Sequence, residues 1–167
     1  MTNKNYFTEL NEIDVSSKIE RKNNLSYLSW AWAWGEVKKK YPDSNYIIYE
    51  RPDGINYWDD GNTAWVKTGV IINGIEHIEY LPIMDFRNKS IKVSELTSFD
   101  VNKAIQRSLT KAIARHGLGL YIYAGEDLPE AIMEEKKHDA TKANEAQAAI
   151  TAKMQELVTF LGSKDEA

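Results

Sequence analysis

Leu96–Pro129 reads LTSFDVNKAIQRSLTKAIARHGLGLYIYAGEDLP, and the spacing of residue types along it decides the fold. Thr97 stands three residues before Asp100, the interval at which a hydroxyl caps a helix start and a carboxylate reaches back to the cap; Ser98 offers the same chemistry one step later. Val101, Ala104, Ile105, Ser108, Leu109, Ala112 and Ile113 then recur at steps of three and four, while Lys103, Arg107, Lys111 and Arg115 are each four apart. At about 100° per residue the apolar set centres almost opposite the basic set. The spacing predicts one long helix with a buried face and a cationic face, stopped by Gly117 and Gly119.

Basic residues at four consecutive helical steps repel one another, and no intervening glutamate relieves the repulsion. An anion would. The stripe therefore reads either as a solvated face or as a surface for a polyanion such as nucleic acid, whose binding would be salt-sensitive.

Upstream, LSYLSWAWAWGEVKKKYPDSN holds three of the five tryptophans within five residues. Ser29 caps a second expected helix, which ends by Tyr41 because Pro42 disfavours continuation. Trp30, Ala33, Trp34, Val37 and Tyr41 share one side and read as core; Trp32 points elsewhere, to a second surface, a subunit interface or a nucleobase. From Ser44 the period changes. NYIIYER, TAWVKTGVII and IEHIEYLPIM are β-branched and aromatic, and Asn73–Gly74 between the last two predicts a tight hairpin. The register stays open, because neither Glu76, Ile78, Tyr80 nor His77, Glu79, Leu81 is cleanly apolar. The expected class is α+β: a helix, a three-stranded antiparallel β-meander, then the long amphipathic helix.

Three regions are expected: an N-terminal arm at 1–24 without a persistent period, a main domain at 25–129, and a tail at 130–167. The tail is a charged, alanine-rich linker followed by Ile150, Met154, Leu157, Val158 and Leu161 at helical spacing. Net charge is −4, and it is unevenly placed: 1–129 holds 16 basic and 17 acidic groups, 130–167 holds 5 and 8. A nucleic-acid surface must then be a local groove or stripe. Without cysteine, disulfides and thiolate chemistry are excluded. The N-terminus lacks the apolar core of a secretory signal and no segment suits a membrane span, so a cytoplasmic protein is expected.

No phosphate-binding lysine loop or dinucleotide fingerprint occurs, and His77, His116 and His138 lack metal-ligand spacing. Asp59 and Asp60 beside Gly61 read as a turn, and joining them with Asp85 or Glu79 gives only an unspecific magnesium set. His116, at the helix end beside Gly117, reads as a residue that interacts with carbonyls or packs rather than one that catalyses. The expectation is no enzyme, no cofactor and no metal.

LSYLSWAWAW, a meander, and then FDVNKAIQRSLTKAIARHGLGLYIYAGEDLP together resemble the phage single-strand annealing proteins of the Sak type over about Leu25–Leu128. More remotely they are similar to the annealing domain of the eukaryotic recombination mediator that forms rings on single-stranded DNA. The resemblance implies a β-β-β-α core assembled into a ring or helix, with DNA in a positive groove. It also implies ATP-independent annealing of complementary strands in phage recombination, in the host cytoplasm. A host or phage single-strand binding protein is a further expected partner, and whether the tail recruits it stays open. Carried over by position, it puts Lys111 at a family basic site, while Thr110 and Ala114 stand where the eukaryotic relatives carry Lys or Arg. Trp32 stands where those relatives carry a DNA-contacting arginine. Arg87, Lys89 and Lys92 match the basic character of the preceding loop. The expected nucleic-acid-binding set is Lys103, Arg107, Lys111, Arg115, Arg87, Lys89, Lys92 and Trp32. Two alternatives stay open: a protective single-strand binding module without annealing, and a structural or adaptor protein.

Overall fold

A computed structural model describes residues 5–22, 25–124, 147–148 and 150–155. Contacts divide the chain into two units, Met1–Ala124 and Gly125–Ala167. In the second, 147–148 and 150–155 are helical with Ile150 and Met154 exposed. The expected linker up to 146, and Leu157, Val158 and Leu161, lie outside the described residues.

The first unit is α+β. Three helices, α1 (Tyr6–Asn11), α2 (Trp30–Lys40) and α3 (Ser98–Arg115), accompany a two-stranded and a four-stranded sheet. The small sheet is an antiparallel hairpin of β1 (Ile19–Lys22) and β2 (Leu25–Leu28). In the larger sheet β5 (Ala64–Ile72) is central: β6 (Ile75–Pro82) pairs along one side, and β3 (Asn45–Ile48) and the short β4 (Trp58–Asp59) share the other, all antiparallel. Ile72 faces Ile75 across the expected turn, where Asn73 (φ 52°) and Gly74 (φ 76°) take the two left-handed positions that a two-residue hairpin loop requires.

α3 forms where its caps and period place it. The Thr97 side chain accepts from the Asp100 backbone N–H, and Asp100 returns the bond to the Thr97 N–H. The seven apolar-stripe residues are all buried, and so are Thr110 and Ala114, so the covered face is wider than the stripe. Thr110 donates its hydroxyl to the Gln106 carbonyl one turn back. Those two positions are therefore core positions here. α3 lies across β5 and β6, with α2 beside it. Its Ser108 hydroxyl is 2.7 Å from that of Thr68 on β5, both fully buried, so this polar pair fixes the helix along the sheet.

The register of β6 follows. His77, Glu79 and Leu81 face α3, while Glu76, Ile78 and Tyr80 face away. Glu79 spoils the alternation in sequence because it is an inward carboxylate, tolerated because Arg115 Nε reaches its Oε2 at 2.5 Å. In α2, Ser29 caps the start and Tyr41 closes the end, and Ala33 and Val37 are buried. Trp30 corrects the sequence reading. It is 50% exposed rather than core, because it borders an open cavity beside α3 instead of being enclosed. Trp34 meets Tyr46 edge-on at 5.4 Å, and with Trp30 these rings border a cavity of about 150 Å³.

Residues 5–22 also belong to this core: Leu10 and Val15 are fully buried. At the C-terminal end of α3, His116 is completely enclosed, 4.3 Å from the His77 ring and 5.9 Å from the Tyr6 ring. Its Nε2–H donates to the Val70 carbonyl at 2.8 Å, which leaves Nδ1 bare and without a hydrogen-bond partner. Burial, with a smaller contribution from His77, holds its pKa below the ordinary histidine value. The unfolded chain therefore takes up a proton at His116 before the folded chain does, so stability is complete above about pH 6.5 and declines as pH falls through and below it. Chemical-denaturation midpoints at pH 7.5 and 5.5 should differ in that direction, and the difference should shrink in His116→Gln whatever its overall stability.

Candidate nucleic-acid interface

The cationic stripe of α3 does not remain one surface. Steps of four residues advance about 40° each around a helix, so Lys103 and Arg115 point some 120° apart. Arg115 turns toward the sheet and is held by Glu79. The other three each lie against an aromatic ring: Lys103 Nζ is 5.4 Å from the centre of Phe99, Arg107 Cζ 4.8 Å from Tyr27, and Lys111 Nζ 5.2 Å from Tyr123. Lys103 also sits 4.0 Å from Asp100, whose carboxylate already serves the helix cap. Charged ends thus stand beside flat apolar faces that fix their direction, an arrangement suited to a polyanionic backbone.

Tyr27 is the junction. It comes from β2, carries Arg107 on its ring, and donates its hydroxyl to Asn88 Oδ1 at 3.4 Å. Asn88 belongs to the loop between β6 and α3, which the sequence offered only as a basic linker. That loop is a tight, hydrogen-bonded turn. Met84 bridges Ser90, the Asp85 N–H donates to the Lys89 carbonyl at 2.8 Å, and Asn88 takes a left-handed conformation (φ 61°). The Asp85 carboxylate accepts from the Arg87 and Lys89 backbone N–H groups at 2.8 and 2.9 Å, which holds its pKa below the usual carboxylate value. Arg87 and Lys89 therefore flank the residue that meets Tyr27, and both are exposed. Arg87 Cζ lies 5.0 Å from the ring of Phe86, itself strongly exposed.

Of the expected residues, Arg87, Lys89 and Arg107 are gathered at this junction, with Lys103 and Lys111 one turn to either side along α3. Lys92 is placed elsewhere, bridged to Thr63 beside the turn that precedes β5. Trp32 is half-buried and packs on the core, so the exposed tryptophan of α2 is Trp30. Tyr27 and Asn88 were missed by sequence reasoning, and so was the hairpin that carries Tyr27 and the exposed Arg21. The available signal was Asn23–Asn24 between IERK and LSYL, a turn pair between two short strand-like runs. Asp59, Asp60, Asp85 and Glu79 do not form one site. Asp59 pairs with Arg51, Asp60 accepts from the Asn62 and Thr63 backbone, and the other two are engaged as described. Among the described residues no group of three or more His, Cys, Asp or Glu is placed to hold a metal ion.

A comparison with known families matches residues 4–156 to the family described as Sak Single Strand Annealing Protein. The chain belongs to that family. Membership makes it a single-strand annealing protein by class, and the Sak annealing proteins are not enzymes. No curated protein and no solved structure matches the chain significantly. Among the described residues of this Sak-family chain no helix is long and apolar enough to cross a membrane.

Proposed function

We propose that this Sak-family protein binds single-stranded DNA along the surface centred on Tyr27 and anneals complementary strands without nucleotide hydrolysis, in phage recombination within the host cell. The observation that carries the reading is the convergence of three separate chain segments on one junction: Arg107 from α3, Tyr27 from the hairpin, and Asn88 between Arg87 and Lys89. In this reading β3, β5 and β6 followed by α3 are the annealing core, and Arg107, Lys111, Lys103, Arg87 and Lys89 grip phosphates without reading sequence. Copies of the chain assemble into a ring or helix, so that weak contacts act in series and bases stay accessible for pairing. A single-strand binding protein of host or phage is a further partner. Arg115 takes a secondary part behind the surface, and Lys92, bridged to Thr63, lies outside it. Trp32 packs on the core and makes no direct contact in this reading.

The test is annealing of two labelled complementary oligonucleotides over a salt series, with chelator and without nucleotide, alongside the mass of the protein–DNA complex. Acceleration by a large oligomer is expected. Arg107→Ala should lower the slope of log affinity against log salt by about one and weaken all sequences alike. A variant with wild-type slope and annealing rate would remove Arg107 from the interface. Binding without acceleration would instead leave a protective single-strand module.

A further inference from the structure

The sheet has a second face, turned away from α3. Alternation from the inward Thr68 sends Trp65 and Lys67 of β5 outward, and the strand pairing sets their neighbours. One row across the sheet is Trp58, Trp65 and Pro82; the next is Tyr49, Lys67 and Tyr80. The Lys67 ammonium lies between two rings, 4.3 Å from the centre of Tyr49 and 5.5 Å from that of Tyr80, with no carboxylate within 4 Å among the described residues. Glu76, the acid on this face, is engaged by the Tyr49 hydroxyl at 2.6 Å. Tyr80 is 56% exposed, and a shallow cleft of about 480 Å³ opens over Trp65, Tyr80 and Pro82, bounded by Thr63 and Ser90.

We infer that this cleft is a nucleobase-stacking site for single-stranded DNA on the face of the sheet turned away from α3; Ser90, of the turn that carries Asn88, stands at its edge. The argument turns on Lys67. A protein partner laid on this face would have to bring its own carboxylate to Lys67, because Glu76 is already engaged by Tyr49. A nucleotide supplies what the face lacks: a phosphate for Lys67, and a flat base for Trp65 and Tyr80, since any base can stack on an aromatic side chain. The two surfaces then differ in kind. The Tyr27 side is rich in cations and reads the backbone, whereas the two rows of the outer side set a single cation, Lys67, among four aromatic rings and read the presence of bases. A chain engaged on both faces would hold two segments of strand at once.

This inference rests on the reading that the protein binds single-stranded DNA, and the experiment separates the two. The full chain is titrated with a thymidine oligonucleotide and with the same backbone carrying abasic residues, each over a salt series. Wild type should prefer the base-bearing oligonucleotide by roughly tenfold, the scale of one base stacked on one ring. Tyr80→Leu, which keeps bulk without the ring, should bring that ratio toward one and leave the salt slope unchanged. Tyr80→Phe should retain it. Arg107→Ala should do the reverse, lowering the slope and keeping the ratio. Tyr80→Leu and Trp65→Leu variants that both keep the wild-type ratio would overturn the cleft as a base site while leaving the DNA-binding reading intact. A Tyr80→Leu variant whose oligomer mass falls with the ratio unchanged would overturn it in favour of a subunit contact. Wild-type protein that binds neither oligonucleotide would overturn both readings.

Discussion

Leu10→Ala should destabilise the protein by about 2–5 kcal/mol, the range for removing a fully buried leucine from a core that relaxes only in part. The substitution deletes three carbons from α1, a six-residue helix too short to stand on its own propensity. Its place depends on packing. Tyr41 donates its hydroxyl to Glu9 at 2.8 Å and meets the Tyr6 ring edge-on at 6.4 Å, so both flanks of Leu10 are tied to α2. Burial and the Glu9 carboxylate push the Tyr41 hydroxyl pKa up to about 12, so this bond persists across the neutral range. Equilibrium denaturation by urea checks the result. A loss under about 0.5 kcal/mol, the scale of a surface substitution, would mean that residues 5–22 are an appendage and not core.

Gly117→Ala is the second large effect, expected at about 2–4 kcal/mol from two causes that act together. Gly117 has φ 117°, a backbone region that residues with a Cβ rarely adopt. A Cβ built there would also stand 2.5 Å from the Phe7 carbonyl oxygen and 3.3 Å from the Asn11 nitrogen. Both obstacles are backbone of or beside α1, so no side chain can rotate away. The variant must move α1 off the end of α3, carrying Tyr6 from its place against His116. Denaturation together with hydrogen exchange of the residue 6–11 amides would show the effect as lost stability with lost protection in α1. A Gly117→Ala protein with wild-type stability would refute the close approach.

Both variants probe a part of the molecule that the sequence concealed, and the reason is physical. α3 was legible because eighteen residues repeat one period and because its cap, Thr97 with Asp100, is a local device. The β5–β6 hairpin was legible through Asn73–Gly74, whose left-handed backbone is a property of those two residues. Leu10 and Val15 were not, since each is a single anchor in a short element and no period links them. β1 and β2 have four residues apiece, too few for alternation to declare itself. At the candidate site the cations were visible as a spacing, but their partners were not. Which of Arg107 and Arg115 meets a tyrosine and which a glutamate depends on strands distant in the chain. The exposure of Trp30 was hidden for a similar reason: helical spacing fixes which tryptophans share a side, and only tertiary packing decides how much of each is covered.

The aromatic backing of the cations has a consequence for the thermodynamics of association. A lysine or arginine side chain carries about 2 kcal/mol of rotamer entropy, part of which is ordinarily lost when it closes on a phosphate. Lys103, Arg107 and Lys111 already rest on Phe99, Tyr27 and Tyr123 in the unbound protein. Some of their motional freedom has therefore been surrendered during folding, and the ordering that remains for the encounter is correspondingly less. Under the proposed function, contacts of this stiff sort would dock as a set, the strand meeting charged groups that are already in position.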